Sequence, residues 1–177
     1  MNIRLPLFAL VVSLTSPLVH AQMLQPGLWE LTTSDMQVDG KALPDMGFML
    51  GQLKNLPPEQ RAMMEGALAK QGITVGGNGV RSCLTPEQVK TDDIPLQDPK
   101  SGCTQRITDR TGKVWKFEFS CPKAQGQGEA TFLSDREFTT KVNGTFNASG
   151  VEQKGSMNTR AQWLGSDCGT VKPRVGG

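Results

Sequence analysis

Residues 114–121 read VWKFEFSC, and this short stretch decides the fold. It alternates strictly between two kinds of side chain: Trp115, Phe117, Phe119 and Cys121 are apolar, whereas Lys116, Glu118 and Ser120 are polar. A period of two is typical of a β-strand that buries one face and exposes the other. The stretch therefore predicts a strand on the surface of an apolar core.

The same alternation continues toward the C terminus. It includes Ala130 with Phe132, Phe138 with Thr140 and Val142, and Met157 with Thr159, Ala161 and Trp163. Between them, Asn143-Gly144 is a strong hairpin signal, so we expect a turn there. About five strands in some sixty residues, joined by short turns, predict an antiparallel meander.

The four cysteines, Cys83, Cys103, Cys121 and Cys168, predict two disulfides. They are too widely spaced for the close pairs that structural zinc sites usually use. Three connectivities are possible. If residues 111–113 form a three-residue hairpin loop, Cys103 lies opposite Cys121 at a distance that a disulfide accepts. This register favours Cys103–Cys121, which leaves Cys83 with Cys168.

The N terminus has the pattern of a secretory signal peptide. One charge, Arg4, precedes an apolar stretch from Leu5 to Val19, and Ala21 ends a typical cleavage site. The stretch is shorter than the roughly 20 apolar residues that a membrane-spanning helix needs. We expect residues 1–21 to be removed and residues 22–177 to form a single periplasmic domain with no transmembrane span.

One helix is expected at about residues 57–70. Proline at its start, Glu59 in its first turn and Gly72 beyond its end are the usual boundary signals. Residues 35–56 are expected to be irregular. The apolar face of the sheet needs a cover, which is either this helix or the sheet itself, curled into a half-barrel or lipocalin-like barrel. The predicted fold class is therefore mainly β (α+β).

The composition argues against catalysis. The only histidine, His20, lies in the expected signal peptide, and the chain has no tyrosine. Nucleophilic catalysis by a Ser-His or Cys-His pair is then unavailable. The net charge of +2 is too small to indicate a nucleic-acid partner. We expect no enzyme activity, no cofactor and no metal.

Two functions agree with these features. The first is binding of an apolar small molecule or lipid between the sheet and a Met-rich segment; the candidate contact residues are Met46, Met49, Met63, Met64, Leu68, Trp115, Phe117 and Phe132. The second is binding of another envelope protein through a sheet edge or a helix face. A minor alternative is Cu(I) binding by thioethers of the Met-rich segment, which includes Met36.

Several segments carry a family resemblance. PGLWELTT (26–33), LPPEQRAMMEGALAKQG (56–72), CLTPEQ (83–88) and WLGSDCG (163–169), together with Cys103 and Cys121, resemble a bacterial family called domain of unknown function 3617. The resemblance covers nearly all of the chain after residue 21. It implies an exported, periplasmic protein, and it implies no catalytic or binding residue.

Overall fold

The computed structural model describes residues 24–70, 72–90, 93–95, 101–148 and 150–173. The expected signal peptide, residues 1–21, lies outside the described residues. No helix among the described residues is long and apolar enough to cross a membrane.

The described residues form a mainly β fold. Its strands are β1 (Gly27–Val38), β2 (Lys41–Ala42), β3 (Ile73–Val75), β4 (Val80–Leu84), β5 (Thr104–Thr111), β6 (Val114–Cys121), β7 (Ala124–Ser134), β8 (Glu137–Ala148) and β9 (Val151–Gly165). Its helices are α1 (Met46–Lys54), α2 (Pro58–Lys70) and α3 (Pro86–Lys90). The strands build one antiparallel sheet in the order β3-β4-β1-β9-β8-β7-β6-β5, and β2 pairs with β1.

The predicted meander is confirmed, because β5 to β9 follow one another in the sheet as they do in the chain. The last strand, β9, then pairs with β1, which brings the first and last strands of the chain side by side. The sheet is open, with β3 and β5 at its edges. It is therefore not a closed lipocalin-like barrel.

Both expected disulfide pairs are present. The Cα atoms are 4.1 Å apart in Cys103–Cys121 and 5.6 Å apart in Cys83–Cys168. The expected three-residue loop is wrong, however, since Thr111 already pairs with Val114. A bulge after Ile107 adds the missing residue and restores the predicted register, with Ile107 opposite Phe117. The shorter loop and the bulge thus offset each other, and the predicted register holds where the strand reaches Cys103.

The core occupies one end of one sheet face, which we call the inner face. Trp29, Trp115, Phe132 and Phe138 pack there with ring centroids 5.0–5.7 Å apart. Short segments beside the sheet cover this end of the inner face and contribute Leu24, Val89 and Ile94 to the core, and Leu84 joins them from the end of β4. Aromatic side chains of this size each bury a large apolar area, so they supply much of the core's stability.

The helix predicted at 57–70 is present as α2, but it does not cover the sheet. It has no buried residue, and Met63 is 77% exposed. It packs against β3, at the edge of the sheet. The start of α3 is fixed by a capping box: Gln88 N–H donates to Thr85 Oγ1, and Thr85 N–H donates to Gln88 Oε1.

The prediction that residues 35–56 are irregular is wrong. Strand β1 continues to Val38, β2 returns beside it, and α1 follows. The sequence signal was hidden by a bulge between Ser34 and Gln37, where Asp35 takes a positive φ of 52°. This bulge breaks the period of two that identifies a strand.

Asn143-Gly144 does not form the expected hairpin, since β8 passes straight through both residues. Gly144 pairs with Gly126 of β7 on one side and with Gly155 of β9 on the other. A Cβ on Gly144 would lie 2.2 Å from the Gln125 carbonyl oxygen. Glycine is therefore required here because neighbouring backbones approach too closely for a side chain, not because the chain turns.

We predict that Gly144→Ala lowers the free energy of unfolding by about 2 kcal/mol or more, since the methyl group must displace backbone. The matched control is Gly66→Ala in α2, where a Cβ meets nothing within 4 Å. There, alanine should raise stability by roughly 0.5–1 kcal/mol. Urea unfolding of both variants measures the difference, and equal stabilities would contradict the close approach.

We also predict that the two disulfides differ in their effect on stability. They close loops with sequence separations of 85 and 18 residues. In the loop-entropy description, replacing both cysteines by alanine should cost about 4–5 kcal/mol for Cys83–Cys168 and about 3 kcal/mol for Cys103–Cys121. Urea unfolding of the two double variants tests this order, and a larger loss from the Cys103–Cys121 pair would reverse it.

Candidate functional site

The inner face continues beyond the core as an open apolar concavity of about 260 Å³, which we call the inner trough. Its apolar lining comes from five strands and the segment that follows β2: Met36, Val38, Leu43, Phe119, Ala124, Val142, Phe146 and Met157. Phe119 and Val142 also pack against the core. The trough is therefore an uncovered extension of the core surface.

Strand register explains why these residues share one face. Val142 and Phe146 lie two and six residues along β8 from Thr140, which is buried on the inner face. Val142 is opposite Met157 of β9, and Phe146 is opposite Ala124 of β7. The period of two that builds the core thus also builds the trough.

Two glycines, Gly144 and Gly155, line the floor of the trough, and they are paired in one row with Gly126. Phenyl rings lie over the outer two. A Cβ on Gly155 would lie 3.0 Å from Phe146, and one on Gly126 would lie 2.9 Å from Phe119. The missing side chains leave room for these rings and deepen the concavity, as when an aromatic ring covers a glycine on a neighbouring strand.

The wall on the β1 side is held by the turn that joins β1 to β2. Asp39 accepts a hydrogen bond from Lys154 N–H at 2.9 Å, and its own N–H donates to the Lys154 carbonyl at 2.9 Å. Its second carboxylate oxygen accepts from Gln153. These bonds fix the turn against β9, and with it the position of β2 and Leu43.

The trough lining has little polar chemistry. By register, the inner-face positions of the described parts of β6 to β9 hold no Asp, Glu, Lys or Arg. No cluster of three His, Cys, Asp or Glu side chains that could hold a metal ion occurs in the described part of the chain. The arrangement suits burial of an apolar group.

The structure does not bring the sequence-predicted contact residues together. Trp115, Phe117 and Phe132 are buried in the core, away from the trough. Met46 and Met49 lie on α1, and Met63, Met64 and Leu68 lie on α2. The methionines considered for Cu(I) are thus spread over α1, α2 and, with Met36, β1.

Sequence reasoning missed the residues that do line the trough, above all Val142, Phe146 and Met157. The signal was present, since Phe138, Thr140, Val142, Gly144 and Phe146 keep a period of two. Interpreting Asn143-Gly144 as a turn interrupted this pattern and ended the strand too early.

A second concavity, of about 660 Å³, lies on the opposite, outer face. It is lined mainly by polar side chains, including Gln125, Gln127 and Asn143. Its one charged pair is neutralised internally, because Arg106 Nη2 lies 2.6 Å from Glu118 Oε2. Both of these side chains are largely exposed, so this face is a solvated sheet surface.

The sequence matches a known family over residues 24–168, a range that includes the whole sheet, the core and the inner trough. The chain belongs to the DUF3617 family. Its members are described as proteins of unknown function. The resemblance found in the sequence is thereby confirmed.

A relative of this DUF3617 chain comes from Pseudomonas putida and is called "Uncharacterized protein in lpd-3 5'region". It is 84% identical over 141 residues, which cover 80% of this chain and 99% of the relative. No solved structure matches the chain. The function must therefore be argued from the trough itself.

Proposed function

We propose that this DUF3617 chain is an exported, non-catalytic binding module that holds an apolar or amphipathic ligand in the inner trough. The observation that carries the proposal is the trough's apolar lining, left open beside a core that is covered elsewhere. Exposed apolar concavities in soluble proteins commonly mark ligand or partner sites.

The size of the trough limits its ligand. Sites for drug-sized molecules usually enclose about 300–1,000 Å³, and this concavity holds about 260 Å³. It therefore suits a single apolar chain or ring better than a two-chain lipid. Each methylene group that it buries would contribute about 0.8 kcal/mol to binding.

Two features support export to the periplasm. The N-terminal segment has the composition of a signal peptide. The structure contains two disulfides and no free cysteine among its described residues. Disulfides form and persist in oxidising compartments such as the bacterial periplasm.

Methionine methyl groups provide a direct test of the site. Met36 and Met157 line the trough, whereas Met63 and Met64 lie on α2. In ¹³C-methyl-methionine NMR, dodecanoate below its micelle concentration should shift the signals of Met36 and Met157. The signals of Met63 and Met64 should stay in place and serve as controls in the same spectrum. Shifts confined to Met63 and Met64 would move the site to the helix.

A charge in the trough should abolish this binding. We predict that Met157→Glu weakens dodecanoate binding at least tenfold, because a carboxylate in an apolar site must lose water and also repels the ligand's head. Met63→Glu places the same charge on the exposed surface of α2 and should leave the affinity unchanged. Isothermal titration of both variants measures this, and equal losses would argue against the trough.

A second candidate function is contact with another envelope protein through α1 and α2. Phe48 on α1 is 60% exposed, and Met63 on α2 is 77% exposed. Large apolar side chains that are exposed together are typical of protein contact surfaces. Photo-crosslinkers placed at positions 63 and 157 in living cells distinguish the candidates: a protein adduct only at position 63 would favour the helices.

A further inference from the structure

We propose that the ligand of the inner trough is a free amphiphile with one apolar chain and an anionic head, and that Lys41 and Lys123 attract the head. This inference rests on the proposed function and adds the charge of the ligand's polar end. It concerns two lysines that stand at the same end of the trough, on opposite sides.

Lys41 belongs to the wall on the β1 side. It lies on β2 directly opposite Val38 of β1. Directly opposed residues of an antiparallel pair place their side chains on the same face of the sheet. Val38 lines the trough and is itself opposite Gly155 of the glycine floor. The Lys41 side chain therefore projects on the trough side of the sheet.

Lys123 lies on the other side of the open end. It lies in the tight turn between β6 and β7, next to Ala124, which lines the trough. Asn147 N–H donates to the Lys123 carbonyl at 2.8 Å and ties this turn to β8. The turns that carry Lys123 and connect β1 to β2 lie at the same end of the sheet, away from the core.

Four strand spacings, or roughly 19 Å along the sheet, separate the two lysines. They therefore flank the open end as two positive charges rather than gripping one head group from two sides. A flexible lysine chain with an ammonium group acts as a mobile point charge, which suits attraction of a head that stays in water.

Few charged groups at the open end oppose the two lysines. Neither forms an ion pair with any described residue. The Asp39 carboxylate is also at this end, held in its turn by hydrogen bonds from Lys154 N–H and Gln153, and it sets one negative charge against the two lysines. Glu152 is opposite Asn147, in the register of the outer face. An apolar trough whose open end is positively charged selects an apolar chain with a negative head.

The test compares four probes with the same twelve-carbon chain: dodecanoate, dodecyl phosphate, dodecyltrimethylammonium and dodecyl maltoside. All are titrated below their micelle concentrations into the disulfide-bonded protein, with the Met36 and Met157 methyl signals as readout. We expect the two anions to bind about tenfold more tightly than the cation, with the neutral maltoside between them. Added salt should reduce these differences, because the lysines are exposed.

Variants assign the preference to the lysines. Lys41→Gln and Lys123→Gln should each weaken dodecanoate binding about threefold, and the double variant about tenfold, as expected for exposed charges. Maltoside binding should not change. The control is Lys116→Gln, since Lys116 is an exposed lysine on the outer face of the same sheet. It should leave every affinity unchanged.

The outcomes separate the two proposals. If all four probes bind equally and shift Met36 and Met157, the trough binds apolar chains and the charge preference is overturned. If no probe binds, both proposals fail. If the protein instead floats with vesicles of anionic phospholipid while free dodecanoate shifts neither methyl signal, the lysines serve a membrane surface and the inference is overturned.

Discussion

The close approach of backbones at Gly126 and Gly144, in a row that continues to Gly155, is the constraint on which the inner trough depends. The three residues are paired in one row across β7, β8 and β9. Side chains at Gly126 and Gly144 would overlap carbonyl oxygens of the neighbouring strand. The row therefore allows the sheet to deform where an ordinary strand could not. On the core side of this row the inner face carries large aromatic rings, and at the row it becomes a trough.

The two disulfides act at different places in this arrangement. Cys83–Cys168 links β4 to the segment beyond β9, so it closes the end of the sheet where Leu84 and Val89 cover the core. Cys103–Cys121 joins the edge strand β5 to β6 near Phe119, at the trough. An edge strand is bonded on one side only and opens more easily than a central one. The second disulfide thus holds the strand that supports one trough wall.

The sequence was sufficient to predict the meander and the cysteine pairs, because both depend on local alternation and strand register. It was sufficient for α2 because proline and glycine mark its ends. It was not sufficient to predict where α2 lies. Neither the weak apolar stripe of α2 nor the length of the helix says which surface the helix packs against. It gave a wrong prediction at Gly144, where a turn was expected and the strand continues. A glycine required by a neighbouring backbone and a glycine required by a turn look the same in a single sequence.

The same alternation of apolar residues builds both the core and the trough. The exposure of the trough to solvent therefore bears on its function. An alternating strand buries its apolar face only as far as other segments cover it, and here the cover consists of short segments at one end. Val142, Phe146 and Met157 continue the apolar pattern past that cover. If the pattern served stability alone, polar residues beyond the cover would cost nothing, because exposed strand positions tolerate them. Apolar residues there agree with the proposed ligand, which would remove them from water. The proposed ligand would bind the folded state and stabilise it by mass action, so occupancy of the trough and stability of the distal sheet would be coupled.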